Sequence, residues 1–412
     1  MSIDIKMAWR NIWRNPRRSI LTISAIAFAS LLLVFMLSWQ LGSYDTMINS
    51  VLKIHTGHLQ VQAEGYKDKR SIRLVVPKPT AVSAILDKTP GVAAYTFRAN
   101  AFSLVSSEER TYGAMVVGID PAREVNISTL KKVVREGSYL SEEDTNKALV
   151  GELLAKNLQV GLGDELVVLG QGRDGSIAAT VVKVKGIYSS GLDEFDRSSL
   201  HITLKNFQDV YTMHGAVHEL VALGKSLEDV PEIKKAVATG IEKMDKKHRL
   251  VALDWMELMP GLIQGIKIDL VGGFIFYIIL IVVVAFSILN TFLMAIFERK
   301  REFGVLMAIG TTPWRLTKLL LIESAIITMV GIVSGIIAGS LVTWYFQVHG
   351  IVISGASELM KQFGIPERMY PQLSVLSVSI GSGLVLVITF LTALYPALKV
   401  RRLRPVEAMR SV

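Results

Sequence analysis

The sequence predicts an α-helical membrane protein with four transmembrane helices and a large mixed α/β domain inserted between helices 1 and 2. Three observations predict it. Half of the 412 residues are hydrophobic and the mean hydropathy is +0.41, although 20% of the residues are charged; the apolar residues must therefore be gathered into blocks. Four blocks are long enough to cross a bilayer, which takes about 20 residues. The net charge of +9 falls almost wholly on three short segments beside those blocks.

Residues 1–19 read as an amphipathic arm. Ile5, Trp9, Ile12 and Trp13 recur at helical spacing beside Lys6, Arg10, Arg14 and Arg17, with Pro16 near the end. Trp9 and Trp13 at the interface, with Arg10 and Arg14 toward anionic headgroups, predict a helix lying in the membrane plane. The first span runs from Ile20 to about Leu41 within residues 20–43. It exceeds the apolar core of a signal peptide and no small-residue cleavage site follows, so an uncleaved span is expected.

Residues 44–266 read as an outer α/β domain. Alternating apolar residues predict strands in Gly57–Ala63, Ala94–Ser106 and Thr111–Ile119, and a strand pair in Glu165–Leu169 and Ile177–Tyr188. Helical patterns at Thr80–Lys88 and Pro231–Met244 flank this middle segment, so a βαβ-like part interrupted by β structure is expected. Asp254 and Glu257 have capping-box spacing. They open a helix with Trp255, Leu258, Met259, Leu262 and Ile266 on one face, expected to kink at Pro260 and to rise as a stalk beside Gln40–Leu52.

The second span runs from Leu270 to Phe297 within residues 267–297, and the link 298–318 follows. The third span covers residues 319–346, an outer loop covers 347–372, the fourth span covers 373–398, and a basic tail covers 399–412. The arm, the link and the tail together hold fifteen basic and four acidic residues, a surplus of +11 that leaves −2 for the rest. Basic residues at span ends mark the cytoplasmic side, so both termini are expected inside and the large domain outside. That distribution excludes a diffuse basic surface for nucleic acid.

No catalytic centre is expected. The chain has no cysteine, which excludes disulfides, thiolate metal sites and a cysteine nucleophile. Gly224-Lys225-Ser226 resembles the end of a phosphate-binding loop, but Glu219 stands where that motif needs glycine. Gly170, Gly172 and Gly175 fit a dinucleotide fingerprint, yet a β-branched alternating segment follows instead of a helix, so a hairpin turn is expected. His214 and His218 have i,i+4 spacing with Gly215 between them and no evident third ligand. No metal or cofactor is expected.

In the link, Phe303, Leu306, Met307 and Ile309 give an apolar face, and Gly304, Ala308 and Gly310 a narrow side where another backbone could approach. A docking knob for a cytoplasmic partner and a solvated amphipathic loop both fit this pattern. Glu298-Arg299-x-Arg301-Glu302-x-Gly304-x-x-x-Ala308-x-Gly310 resembles the coupling-helix signature of the FtsX/MacB/LolC–LolE permeases of ABC systems. Ala8–Ser19, Leu321–Ala325 with Gly331 and Gly335, Tyr395–Ala397 continuing to Arg402–Arg410, and Val150–Asp164 resemble further segments of that family.

The resemblance implies four spans and a periplasmic domain with porter-like and β-rich parts, in a bacterial inner membrane. It also implies a second permease, the same or different, and a cytoplasmic ABC ATPase dimer seated on the coupling helices, with no catalysis by this chain. The length of the outer loop is most similar to the lipoprotein-releasing branch, where Leu258, Leu262 and Phe274 would meet acyl chains. A periplasmic lipoprotein chaperone is a partner of that branch, and no hook sequence for one stands out. Export of a periplasmic peptide or drug, and a membrane-anchored sensor or scaffold, remain alternatives. Glu323, an ionisable residue inside the third span, is a functional candidate by position; a bond to a neighbouring helix near the cytoplasmic end is the other reading.

Overall fold

The computed structural model describes residues 3–244, 249–352 and 368–400; the tail motif Arg402–Arg410 and most of the 347–372 loop lie outside them. The chain divides into two compact units, one of Met1–Asp45, Gly265–Val352 and Arg368–Val412, the other of Thr46–Gln264 and Ile353–Glu367.

Helix α1 (Ile3–Arg14) precedes α2 (Pro16–Val51), which begins in the first unit and ends in the second. The strands of the outer unit follow. They are β1 (Leu59–Ala63), β2 (Val92–Ser106), β3 (Thr111–Ile119), β4 (Val134–Gly137), β5 (Lys147–Gly151), β6 (Glu165–Gln171), β7 (Ile177–Tyr188), β8 (Ser199–Thr203), β9 (Glu219–Gly224) and β10 (Leu250–Asp254). Between them run α3 (Tyr66–Lys69), α4 (Pro79–Lys88), α5 (Pro121–Glu124), α6 (Glu152–Leu158), α7 (Asp193–Ser198), α8 (Leu204–Val210) and α9 (Val230–Met244), with α10 (Trp255–Leu258) after β10. The chain then runs through α11 (Pro260–Glu298), α12 (Lys300–Ala308) and α13 (Pro313–His349), the short ladder β11 (Ile351–Val352) with β12 (Arg368–Met369), and α14 (Val375–Val400).

The four apolar runs are the helices α2, α11, α13 and α14, each long and apolar enough to span a membrane. The first three overrun their predicted spans at both ends. At 36, 39 and 37 residues they are about 54–58 Å long, nearly twice the roughly 30 Å hydrocarbon core. The four spans and α1 share a core of Ile12, Ile26, Ala29, Leu33, Ile288, Ile327, Ile332 and Val385. Helix α13 approaches α2 along Gly331, Gly335 and Gly339, one residue per turn. A Cβ on Gly335 would stand 2.5 Å from the Ala27 carbonyl oxygen, and one on Gly339 3.1 Å from the Leu31 Cα. Small residues at this spacing let helices in lipid gain van der Waals contact, where no hydrophobic effect drives them together.

The outer unit has two β parts sharing β2. The first half of β2 joins β10, β1 and β9 in the order β10-β1-β9-β2, with every pairing antiparallel. Helices α4 and α9 cover it through Val82, Leu86, Ile233, Val237 and Ile241. This is a split β-α-β architecture, and the intervening β structure is inserted between β2 and β9. In that insert β2, β3, β8, β5, β7 and β6 pair in turn, and β6 returns to β2 through Leu104–Ser106. The ring is closed, which leaves those strands no free edges.

One expectation is corrected here. The capping box is present, with the Glu257 amide donating to Asp254 Oδ1 at 3.0 Å and the Asp254 amide to Glu257 Oε2 at 3.2 Å. The helix it opens ends after one turn, at Leu258. Met259, with φ −123° and ψ 65°, takes the non-helical conformation that a following proline favours. Pro260 then starts α11. Leu258 and Leu262 therefore belong to different helices, and the face predicted to run continuously through Pro260 is broken.

Candidate coupling surface and the elements that hold it

Helix α12 returns the chain from α11 to α13. Phe303 and Met307, with 1% and 8% of their surface exposed, lie against Ile296, Leu316 and Leu320. Burying each contributes about 1.5–3 kcal/mol. Gly304 is turned in with them. Of the apolar face read from sequence, Phe303 and Met307 thus seat α12 on its own chain, Leu306 is half-buried and Ile309 lies outside. What points away is Arg301, Val305, Ala308 and Ile309, with Ile309 78% exposed and Trp314 beyond them 60% exposed.

Gly310 has a different role from the one expected. At φ +101° it ends α12 in a Schellman arrangement. Its amide donates to the Met307 carbonyl at 3.1 Å, and the Thr311 amide to the Leu306 carbonyl at 3.0 Å. Gly304, Ala308 and Gly310 therefore do not form one narrow free side: one is buried, one is exposed, and one is a helix stop.

The charges of the signature are mostly spent inside the chain. Arg18 Nη1 pairs with Glu298 at 2.7 Å, and Arg14 pairs with Glu302. Arg299 lies 3.5 Å from Glu302 and donates from Nη1 to Glu323 at 2.9 Å. The Asn11 side-chain amide donates to the other Glu323 oxygen at 2.6 Å. Glu323, 8% exposed, thus ties the α1 arm to the α11–α12 corner. A carboxylate in apolar surroundings is tolerated when an ion pair and a hydrogen bond satisfy it. In α1 itself, Ala8 and Ile12 are buried, while Trp9, Arg10, Trp13 and Arg14 are exposed, which splits the predicted apolar face in two.

At their outer ends α2 and α11 are joined by a polar ladder that the sequence reading missed. Tyr277 donates to Gln40 Oε1 at 2.9 Å, Gln40 Nε2 to the Tyr44 hydroxyl at 3.0 Å, and Tyr44 to Asp269 at 2.5 Å. The signal was one glutamine late in an apolar run. Of the residues expected to meet acyl chains, Phe274 is 64% exposed on α11, whereas Leu258 and Leu262 are half-buried.

The motif-like segments noted in the sequence take ordinary structural places. Gly170–Ser176 is a hairpin turn, in which the Gly172 amide donates to the Ser176 carbonyl at 2.8 Å. Gly224 ends β9 and its amide donates to His58 Nδ1 at 3.1 Å. His218 is buried, accepting from the Asn100 amide at 2.9 Å, while His214 is exposed beside Asp209. Among the described residues no group of three His, Asp or Glu side chains could hold a metal.

Comparison with known proteins gives two family matches. Residues 19–239, more than half of the chain, match the MacB-like periplasmic core domain, and residues 274–405 match the FtsX-like permease C-terminal domain. The lipoprotein-releasing system transmembrane protein LolC of Xylella fastidiosa is 23% identical over 316 residues, covering 73% of this chain and 74% of that protein. The macrolide export ATP-binding/permease protein MacB of Wolinella succinogenes is 22% identical over 431 residues, covering 99% of this chain and 60% of that protein. The crystal structure of the periplasmic region of MacB from Actinobacillus actinomycetemcomitans aligns with 54% of this chain and 97% of its own, at 16% identity and a TM-score of 0.39. This chain is a four-span membrane protein with an extracytoplasmic domain, and it belongs to the FtsX/MacB family of ABC transporter permeases, which carry no catalytic activity themselves.

Proposed function

We propose that the chain is the permease subunit of a mechanotransmission complex in a bacterial inner membrane, with both termini cytoplasmic. It pairs there with a second permease, and α12 seats on a cytoplasmic ABC ATPase. ATP-driven movement of the ATPases shifts α2 and α11, and through them the outer domain, to extract lipoproteins or related lipidated substrates from the outer leaflet. The observation that carries this reading is α12 itself. It is packed onto the spans by one side and ion-paired through Glu302 to Arg14 of α1, while Val305, Ala308, Ile309 and Trp314 stand outward, as a lever seated on a partner requires.

One feature favours an apolar cargo. On the barrel wall, Phe102, Leu104, Val167, Leu169, Ile177 and Val181 are exposed, and Leu104 lies opposite Leu169 and Val167 opposite Val181. Exposed apolar patches of this kind mark interaction surfaces. The likeness to LolC supports lipoprotein release; the likeness to MacB over nearly the whole chain supports a second reading, export of a peptide or drug already in the periplasm.

Purification from native membranes tests the core of the proposal. An ABC ATPase should be recovered with the intact chain, and its activity should rise on adding lipoprotein; a rise only with small amphiphiles favours the second reading. Recovery of no ATPase leaves a membrane-anchored sensor or scaffold. Ala308→Arg and Ile309→Asp alter only the outward face and should reduce ATPase recovery at least tenfold with membrane insertion intact. Wild-type recovery from both variants would disprove the docking face. Gly304→Glu is the poorer probe, because it buries a carboxylate in the seat of α12.

A further inference from the structure

Arg98 occupies a singular place in the outer domain. It is the residue at which β2 passes from one β part to the other: on one side it pairs with Glu219, the end of the β2–β9 register, and on the other with Ile119, where the β2–β3 register begins. Its side chain is 1% exposed and meets Glu124, 2% exposed, as a fork on a fork. Nε donates to Glu124 Oε2 at 3.1 Å and Nη2 to Oε1 at 2.5 Å. The third arm, Nη1, donates to the backbone carbonyl of His55.

His55 lies in the π-helical turn Leu52–Thr56 that follows α2 without a break. That turn is held at several points. The Thr129 amide donates to the Lys53 carbonyl at 2.8 Å, Gln60 Nε2 to the Thr56 carbonyl at 2.8 Å, and the His55 ring lies 5.3 Å from that of Phe195 in α7. Leu52 and Ile54 are buried. From a backbone position at the junction of the two β parts, one guanidinium therefore ties the turn that follows the first spanning helix to α5. Burial would raise the Glu124 carboxyl, but the Arg98 charge and its hydrogen bonds hold it below the usual range, so the pair stays ionised.

We propose that Arg98 and Glu124 are positioning residues that lock the Leu52–Thr56 turn to the junction of the two β parts, so that displacement of the helix end carries both parts together. A buried ion pair of this kind adds little net stability compared with apolar side chains of similar size, whereas removing one partner is costly. Its planar, three-way geometry fixes direction, which a lysine could not reproduce. The transmission role rests on the permease reading; the lock itself does not.

The test uses the full chain in lipid nanodiscs with whatever ATPase co-purifies. The double variant R98M/E124L removes both charges together. Hydrogen exchange at the amides of residues 53–58 should accelerate at least tenfold, with strands β2 and β9 changing less than twofold and the melting temperature by only a few degrees. Arg98→Lys, which keeps a charge beside Glu124 without the fork, should accelerate the same amides. Exchange at the turn within twofold of wild type in either folded variant overturns the lock. So does unfolding of both, because the pair would then be holding the domain rather than the turn.

In the assembled complex, ATP hydrolysis without substrate should stay within twofold, and stimulation by lipoprotein should be lost. Stimulation retained with a loosened turn removes the transmission role and leaves the lock. If wild type recovers no ATPase, the permease reading fails while the exchange result still stands.

Discussion

His201 and His218 are buried in the outer domain, at 2% and 0% exposure. Burial pushes the imidazole of His201 down to about 3 and that of His218 down to about 4. Both fold neutral, whereas the unfolded chain takes up protons near 6.5. Between those values the unfolded state binds more protons, so stability rises with pH across the window. The contribution is complete above about pH 6.5 and is lost as pH falls toward 4, by up to ~1.4 kcal/mol per pH unit for each ring. Burial raises the carboxyls of Glu219 and Asp196, which opposes part of this loss. His201→Phe keeps a ring against Tyr188 and Phe195 and removes one titration. Its melting temperature should fall less between pH 7 and pH 5 than that of wild type; an equal fall would show that His201 is not held neutral. Spacing marks His218 only as a candidate metal ligand, because it does not reveal that the bend leading into β9 buries the ring.

At the scale of elements, legibility follows how local the determining chemistry is. The four spans could be read because apolar composition is contiguous, and β3 and β7 match their predicted limits because alternation is contiguous too. The barrel was hidden, since β2 closing on β6 joins residues more than sixty positions apart and no short pattern encodes such a pairing. In α12 the apolar stripe was legible as a stripe, but which surface covers it was not; Phe303 turned out to meet Leu316 and Leu320 of its own chain. The α2–α13 contact offers a sharp test at this scale. Gly335→Leu must displace backbone, with a Cβ 2.5 Å from the Ala27 carbonyl oxygen, whereas Gly383 in α14 has nothing within 4 Å. Overpacking of this kind costs about 1–3 kcal/mol or more. Gly335→Leu should lower the melting temperature in detergent by several degrees and Gly383→Leu should leave it unchanged; equal behaviour of the two would mean that the glycine ridge does not set the contact.

For the whole molecule, the decisive asymmetry is that α11 is the least covered of the spans. Among its described side chains Ile288 and Ile296 are the buried apolar residues, while Ile268, Val271, Phe274, Val283 and Phe286 are each at least 60% exposed. By contrast, α13 buries Leu316, Leu319, Leu320, Ile327 and Ile332 against its neighbours. A helix with only a narrow seam on its own chain can face lipid alone, or can meet another permease along one side. The two differ in what a probe on α11 captures. The natural absence of cysteine makes single thiols at Phe274, Phe286 and, on α13, Ile337 clean handles for a photo-activated maleimide in native membranes. If α11 lies at the permease–permease contact, Phe274→Cys or Phe286→Cys should yield a crosslinked species of two permease masses. Ile337→Cys, 57% exposed, should yield lipid adducts only. Lipid adducts at all three positions would remove α11 from that contact and leave its exposed face to the bilayer.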